Sequence, residues 1–445
     1  MTSAPRHRYS LWAYQLLLTV LVPLFLVRLW WRGRRQPAYR RHWPERLGWA
    51  PALPQVADRV WIHAVSVGET RACLPLVAAL RLARPGCQIL LTHMTPTGRE
   101  TGRSLFGGQV EQRYLPYDTP GAMARFLADT RPTLGLLMET ELWPGLVQAC
   151  RRRAIPLWLV NARLSARSAG GYRRLAWLTQ DALAGLAGVV AQSEADARRL
   201  RALGAPQVTV SGNLKFDAPV PEAELRPAAA LRAILGAGRP VWLAASTREG
   251  EEALLLTAWQ HAVAASAERP LLVLVPRHPQ RFEEVGACIG AAGLRWCARS
   301  AWPALTPAGW AGDPPTPVPA SLDVVLGDSM GELGLWYRAV DLAWVGGSLL
   351  PFGGQNLLEA CARSCPVLVG THIFNFAQVT AEGIAAGAVE QVSDAASLVQ
   401  RVLALLEDQD ALQQRRQAGL AFLARHQGAT QRTLLALGLP PGVRT

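Results

Sequence analysis

The sequence predicts an α/β fold: two lobes built on parallel sheets, preceded by one N-terminal membrane helix. The first observation is size, because a chain of 445 residues, 50% of them hydrophobic, exceeds what a single core normally serves. The second is the uncharged run from Leu11 to Val27 near the amino terminus. The third is a pattern that repeats on either side of residues 218–240, where short apolar runs alternate with helical stretches. Such alternation marks parallel strands joined by crossover helices.

Taken in order, residues 1–50 read as a membrane anchor with a basic interfacial segment. The run LWAYQLLLTVLVPLFLV carries no charge. Arg28 can snorkel, so Leu29, Trp30 and Trp31 extend the apolar stretch to about 20 residues, the length a bilayer requires. A cleaved signal peptide also starts basic and then apolar, but no small-residue cleavage site precedes the arginines that follow. The formal charge of the chain is +13, from 46 basic and 33 acidic residues. Much of it sits here, as Arg6, Arg8, Arg28, Arg32, Arg34, Arg35, Arg40, Arg41 and Arg46 face Glu45 alone. Basicity concentrated beside an apolar run favours a membrane surface over a nucleic acid polymer. The arginines from Arg28 to Arg41 outnumber those before the run, which places the body of the protein on the cytoplasmic side. Trp30, Trp31, Tyr39, Trp43 and Trp49 interleave with them as an interfacial belt does. The 7 cysteines show no paired short spacing, so neither a disulfide framework nor a zinc site is expected. Cys361 and Cys365 read as core residues in a reducing compartment.

Residues 51–217 form the first expected lobe, with strands at Val60–Val65, Gln88–Thr92, Leu134–Met138, Pro156–Val160, Val189–Gln192 and Val208–Ser211. Residues 218–240 (beginning APVPEAELRPAAA) read as a linker. Residues 241–445 form the second lobe, with strands at Val241–Ala245, Leu271–Val275, Asp323–Gly327, Leu342–Val345 and Pro366–Val369, and terminal helices. Residues 301–320 read as a surface loop. Ligands of open parallel sheets bind at the carboxyl ends of the strands, so a cleft between the two lobes is the expected site.

Several motifs fall at those strand ends. In His63-Ala-Val-Ser-Val-Gly-Glu-Thr70 a strand bends at Ser66 and Gly68 and delivers Glu69 near a helix start, a suitable post for a general base. The plain alternative is a helix-capping carboxylate. His63 itself reads as packed or hydrogen bonded. Met138-Glu-Thr-Glu-Leu-Trp-Pro144 places Glu139 and Glu141 at the end of a buried strand, where two adjacent carboxylates are costly without compensating cations or protons. The only lysine among the basic residues is Lys215, in Ser211-Gly-Asn-Leu-Lys-Phe-Asp217. A bias this strong replaces lysine wherever arginine serves, so the survivor points to a need for a compact ammonium. In the second lobe Val275-Pro-Arg-His-Pro-Gln-Arg281 offers Arg277 to an anion, and Gly327-Asp-Ser-Met-Gly-Glu-Leu333 repeats the strand, turn, helix arrangement. Val345-Gly-Gly-Ser-Leu-Leu-Pro-Phe-Gly-Gly-Gln-Asn-Leu-Leu-Glu359 reads as a phosphate cradle, with unpaired amides around Gly353 and Gly354 and a helix beginning near Asn356. Glu359 is then placed for ribose hydroxyls. No Walker lysine follows, and no metal site is expected; Asp408-Gln-Asp410 reads as a solvated face. The arginines Arg151, Arg152, Arg153, Arg163, Arg167, Arg173 and Arg174 read either as an exposed face or as a site for a phosphorylated lipid.

In this order the segments HAVSVGET, METELWP, NARLS, SGNLKFD, PRHPQRF, GDSMGE and GGSLLPFGGQNLLE resemble those of the Kdo transferases, glycosyltransferase family 30, over essentially the whole chain. The resemblance implies a GT-B fold of two Rossmann-like lobes facing a central cleft. It implies inverting transfer of Kdo from CMP-Kdo to the lipid A precursor lipid IVA at the cell inner membrane, with no cofactor and no metal. Glu69 would be the proton acceptor, with Glu139 and Lys215 assisting the transition state. CMP would be held by Pro276 and Arg277, by Met330, Gly331 and Glu332, and by Asn356, Leu357, Leu358 and Glu359. The alternatives are another GT-B nucleotide-sugar transferase or epimerase, which would share the glycine-rich loop, and a non-catalytic glycolipid-binding membrane protein.

Overall fold

The computed structural model describes residues 4–34, 36–265 and 269–440. Arg35 and the side chains of Arg6 and Arg8 lie outside the described part. A helix spans Ala4–Arg32, and its segment Leu11–Arg32 is, among the described residues, the one helix long and apolar enough to cross a membrane. The chain divides into two α/β units, the first containing this helix with the residues up to Ala218 and from His426 onward, the second running from Pro219 to Arg425.

The first unit carries a parallel sheet of β1 (Arg59–His63), β2 (Gln88–His93), β3 (Glu111–Tyr114), β4 (Leu134–Met138), β5 (Leu157–Ala162), β6 (Gly188–Ala191) and β7 (Val208–Val210). Their order is β3-β2-β1-β4-β5-β6-β7. The central strands β1 and β4 are buried at every position, as expected where helices cover both faces of a parallel sheet. Alternate residues feed two cores: Trp61, Leu90, Leu137 and Leu159 pack on one side, and Ile62, Leu91, Leu136 and Val160 on the other. The strand order reverses between β1 and β4, so the loops after these two strands flank a crevice at a topological switch point.

The second unit has β8 (Val241–Thr247), β9 (Leu271–Pro276), β10 (Trp296–Ala298), the small hairpin β11 (Leu305–Thr306) and β12 (Gly309–Trp310), β13 (Val324–Leu326), β14 (Leu342–Val345), β15 (Val367–Val369) and β16 (Val389–Gln391). The main sheet runs β10-β13-β9-β8-β14-β15-β16, all parallel, with its switch point between β8 and β14. Trp242, Trp259, Leu272 and Trp344 anchor its core.

Four expectations need correction. The edge strands β3, β10 and β16 have no counterpart in the sequence reading, and the expected surface loop 301–320 holds the β11–β12 hairpin. The expected linker 218–240 belongs, from Pro219 on, to the second unit and contains the helix Leu225–Leu235, which buries Leu231, Ile234 and Leu235. Within the same stretch, Glu224 pairs with Arg363 and Arg338. The terminal helices also divide: the chain re-enters the first unit at His426, where Ala429 and Leu434 join the core and the Asp217 carboxylate accepts from the Gly428 and Thr430 amides.

Candidate active site

In the first unit the switch-point crevice gathers three carboxylates and the lysine. Ser66 caps the helix Val67–Ala83 by accepting from the Glu69 amide. The Glu69 side chain turns back, accepting from the Val65 amide at 2.8 Å and the Ser66 hydroxyl at 2.8 Å. It thus performs the helix-capping role and is held in one pose by it. Glu69 is only 8% exposed. Burial pushes its carboxyl up from 4.5 to about 7, helped by the negative charges of Glu139 and Glu141 and opposed by the bonds from Val65 and Ser66.

Glu139 leaves β4 with φ of 58°, a left-handed conformation that an unbranched polar residue adopts at a cost of about 1–2 kcal/mol. Its amide donates to Val160 O at 3.0 Å and its Oε1 receives Lys215 Nζ at 3.0 Å. Lys215 lies in the turn Leu214–Asp217, whose Lys215 amide donates to Asn213 Oδ1. The neighbouring Leu214 amide donates to Asn161 Oδ1 at 3.0 Å. Asn161, from the NARLS segment, is fully buried with φ of 52°, and its Nδ2 has no partner among the described residues. The structure therefore brings Glu69, Glu139 and Lys215 to one crevice, and adds Asn161 as the residue that seats the lysine turn. Glu141 accepts from the Trp143 indole at 2.9 Å, and burial raises its carboxyl. His63 is buried against Trp143, pairs with the Thr92 hydroxyl, and is pushed down to about 3 by burial, so it stays neutral.

In the second unit the expected nucleotide residues stand at the ends of β9, β13 and β14. Pro276 ends β9 and the Arg277 amide donates to Thr247 O at 3.0 Å. His278 is pushed down by burial and by Arg248, Arg277 and Arg281, which registers a positive local field. Met330 is 68% exposed and Gly331 takes φ of 84°, while Glu332 is locked in a two-pronged pair with the buried Arg299 at 2.8 and 2.9 Å.

The glycine-rich loop departs from the expected cradle. Amides of Gly347, Ser348 and Leu349 already donate to the Glu251 carboxylate at 2.7 to 2.9 Å, with Leu350 at 3.4 Å and Arg248 at 2.9 Å. That nest is filled by the protein's own anion. The Gly354 amide donates to Gly347 O, and the φ values of 93° at Gly353 and 77° at Gly354 require glycine. The helix begins at Leu358, not Asn356, and covers one turn to Cys361, with Asn356 Oδ1 accepting from the Leu358 amide. Its end dipole is correspondingly weak. Leu357 and Leu358 are buried in the core, so only their backbone is available to a ligand. Sequence reasoning passes over Glu251 and Arg248, although Thr247-Arg-Glu-Gly-Glu-Glu252 leaves β8 at the same strand-to-helix position that Glu69 holds after β1.

Residues 41–218 match the family described as 3-Deoxy-D-manno-octulosonic-acid transferase (kdotransferase). A 3-deoxy-D-manno-octulosonic acid transferase of Bordetella pertussis is 47% identical over 438 residues, covering 95% of this chain and 98% of that protein. The chain belongs to the Kdo transferase family. A second member, from Haemophilus influenzae, is 36% identical over 425 residues, covering 95% of this chain and 96% of that one. Among solved structures, a UDP-GlcNAc 2-epimerase from Neisseria meningitidis gives a TM-score of 0.57 at 14% identity, covering 85% of this chain and 99% of that one. A glycosyltransferase from Rickettsia africae gives 0.54 at 12%, covering 86% and 98%. These two likenesses establish the GT-B type of fold and nothing about substrate. This Kdo transferase is thus a glycosyltransferase with two parallel-sheet lobes.

Proposed function

We propose that this Kdo transferase takes Kdo from CMP-Kdo and adds it, with inversion, to lipid IVA at the cytoplasmic face of the inner membrane. The observation that carries the reading is Glu69: a buried carboxyl tuned to about 7, fixed by two hydrogen bonds beside a Glu139–Lys215 pair. A base is most effective when its pKa lies near the working pH, and such assistance is worth on the order of 10² to 10⁴ in rate.

In the reaction the acceptor's primary hydroxyl oxygen attacks the anomeric carbon from the side opposite CMP. Its proton passes to a Glu69 carboxylate oxygen, the new C–O bond forms, and the bond from the anomeric carbon to the phosphate oxygen breaks, its electron pair leaving with CMP. Attack from the opposite face inverts the centre. Lys215, steadied by Glu139, faces the negative carboxylate of the sugar acid. The cationic field of Arg248 and Arg277 meets the charge that grows on the leaving phosphate, so the reaction is read as independent of a metal. The Gly353–Gly354 bend, whose φ values of 93° and 77° suit glycine, is read as the backbone that receives the phosphate. The apolar helix Leu11–Arg32 and the arginines after it support attachment to the inner leaflet. Mass spectrometry of lipid IVA incubated with CMP-Kdo and the protein tests donor, acceptor and number of additions together. An unmodified lipid with the wild type, or transfer from a UDP-sugar in place of CMP-Kdo, would reject the reading.

A further inference from the structure

The helix Ala4–Arg32 has two faces. Trp12, Leu16, Val20, Leu24 and Val27 are exposed along one side. Tyr14, Leu18, Phe25, Leu29 and Arg32 follow the opposite side at helical spacing and turn towards the first unit. Tyr14 donates to Asp118 Oδ2 at 3.1 Å and Phe25 meets Tyr117 at 5.3 Å between ring centres, and the helix also runs against the helices Pro144–Arg152 and Ala176–Ala184. Beside these contacts a groove of about 390 Å³ lies between it and the body. That volume lies within the roughly 300–1,000 Å³ of small-molecule sites.

The polar lining of the groove is lopsided. Arg28, Arg32 and Arg46 contribute guanidinium groups, and none of the three has a carboxylate partner among the described residues. Arg46 is 2% exposed; among the described residues its Nε has no hydrogen-bond partner, and its guanidinium meets Met94 O at 3.0 Å and the face of Tyr114 at 4.0 Å. The adjacent Glu45 is already engaged with Arg99 at 2.8 Å. A cation buried this way is costly unless an anion arrives to compensate it. The one carboxylate in the lining, Asp118, is committed to the Gly145 amide and to Tyr14. Trp143 forms part of the wall, and its indole donates to Glu141 in the crevice that holds Glu69.

We propose that this groove is a subsite for the acceptor lipid, taking one acyl chain along Leu18 and Phe25 and a phosphate on Arg28, Arg32 and Arg46. A wall made by the membrane helix lets the chain enter from the bilayer, and the shared Trp143 leads from the groove to the carboxylate crevice. The assignment rests on the reading of the acceptor as a phosphorylated, acylated sugar.

The test uses the full-length protein in bilayer nanodiscs. Leu18→Trp fills the groove, and Leu16→Trp adds the same bulk on the exposed face. The acceptor KM should rise about tenfold or more in Leu18→Trp, which corresponds to about 1.4 kcal/mol, and stay unchanged in Leu16→Trp. The double variant Arg28→Ala/Arg32→Ala should raise KM for lipid IVA much more than for its dephosphorylated form, with CMP affinity intact. Equal behaviour of the two tryptophan variants would overturn the proposal. So would an equal loss for phosphorylated and dephosphorylated acceptors that tracks loss of liposome binding, since the arginines would then serve the membrane alone. Binding of radiolabelled lipid IVA to wild type and Leu18→Trp without donor keeps the questions apart: absent transfer by the wild type refutes the transferase substrates, whereas equal lipid binding by both proteins refutes the groove.

Discussion

Replacing Glu69 by glutamine should make the protein more stable above neutral pH while removing its activity. In the unfolded chain this carboxyl titrates near 4.5, and in the folded protein near 7, because burial disfavours its charged form. Between those values the folded state binds the extra proton, so stability declines as pH rises from about 4.5 to about 7 and is level beyond. The gap corresponds to about 3 kcal/mol at pH 8. Glutamine carries no charge and escapes that penalty, and its oxygen can accept from the Val65 amide while its amide nitrogen donates to the Ser66 hydroxyl oxygen, whose proton is free to turn away. At pH 5 the wild-type side chain is largely neutral as well, so the two proteins should unfold alike there. At pH 8 the variant should be favoured by up to about 3 kcal/mol. Denaturant unfolding in detergent at the two pH values measures the difference, and transfer assays should show a loss on the order of 10² to 10⁴. A stability difference independent of pH would show that Glu69 is not a strained acid. Full turnover in the variant would remove it from the proton transfer.

The wild-type rate should rise with pH through about 7 as Glu69 ionises, and a flat profile from pH 6 to 8 would contradict the assignment. Lys215→Arg should cut kcat by on the order of 10² while shifting stability by less than about 1 kcal/mol, because the pair with Glu139 is partly exposed; kinetics and melting together report this. Glu251→Gln should destabilise the second unit by on the order of 3 kcal/mol and weaken CMP binding, read by calorimetry, since an amide nitrogen would face a cluster of backbone donors. Gly353→Ala should raise the donor KM and cost about 1–3 kcal/mol, because φ of 93° disfavours alanine and its Cβ would strike Asn375 and Phe374.

The parts of the fold legible in the sequence are those buried on both sides. Strands such as Leu134–Met138 are continuous apolar runs because helices cover both faces of the sheet. The strands that escape notice are sheet edges: Glu111-Gln-Arg-Tyr114 has a partner on one side only and keeps charges that a central strand would exclude. The placing of Glu69, Glu139 and Lys215 was legible because each follows the end of a strand. Their assembly by Asn161 was not, since it depends on a left-handed buried asparagine contacting a turn far along the chain. The return of residues from His426 to the first unit rests likewise on Asp217, whose carboxylate looks like any other acid until Gly428 and Thr430 donate to it.

The two units use one construction for opposite ends. In each, a strand at the switch point leads to a glutamate whose carboxylate turns back onto loop amides, Glu69 after β1 and Glu251 after β8. A carboxylate offers about four lone-pair sites. Glu251 receives five backbone N–H groups, four of them within 2.9 Å, so its acceptor capacity is consumed and it can only hold the glycine-rich loop in shape. Glu69 receives one amide and one hydroxyl, enough to fix its pose and too few to saturate it. With Glu139 and Glu141 raising the cost of its charge, the remaining capacity favours a proton. The number of donors, more than the residue type or its place in the fold, therefore separates a carboxylate saturated by the fold from one with capacity left for a proton.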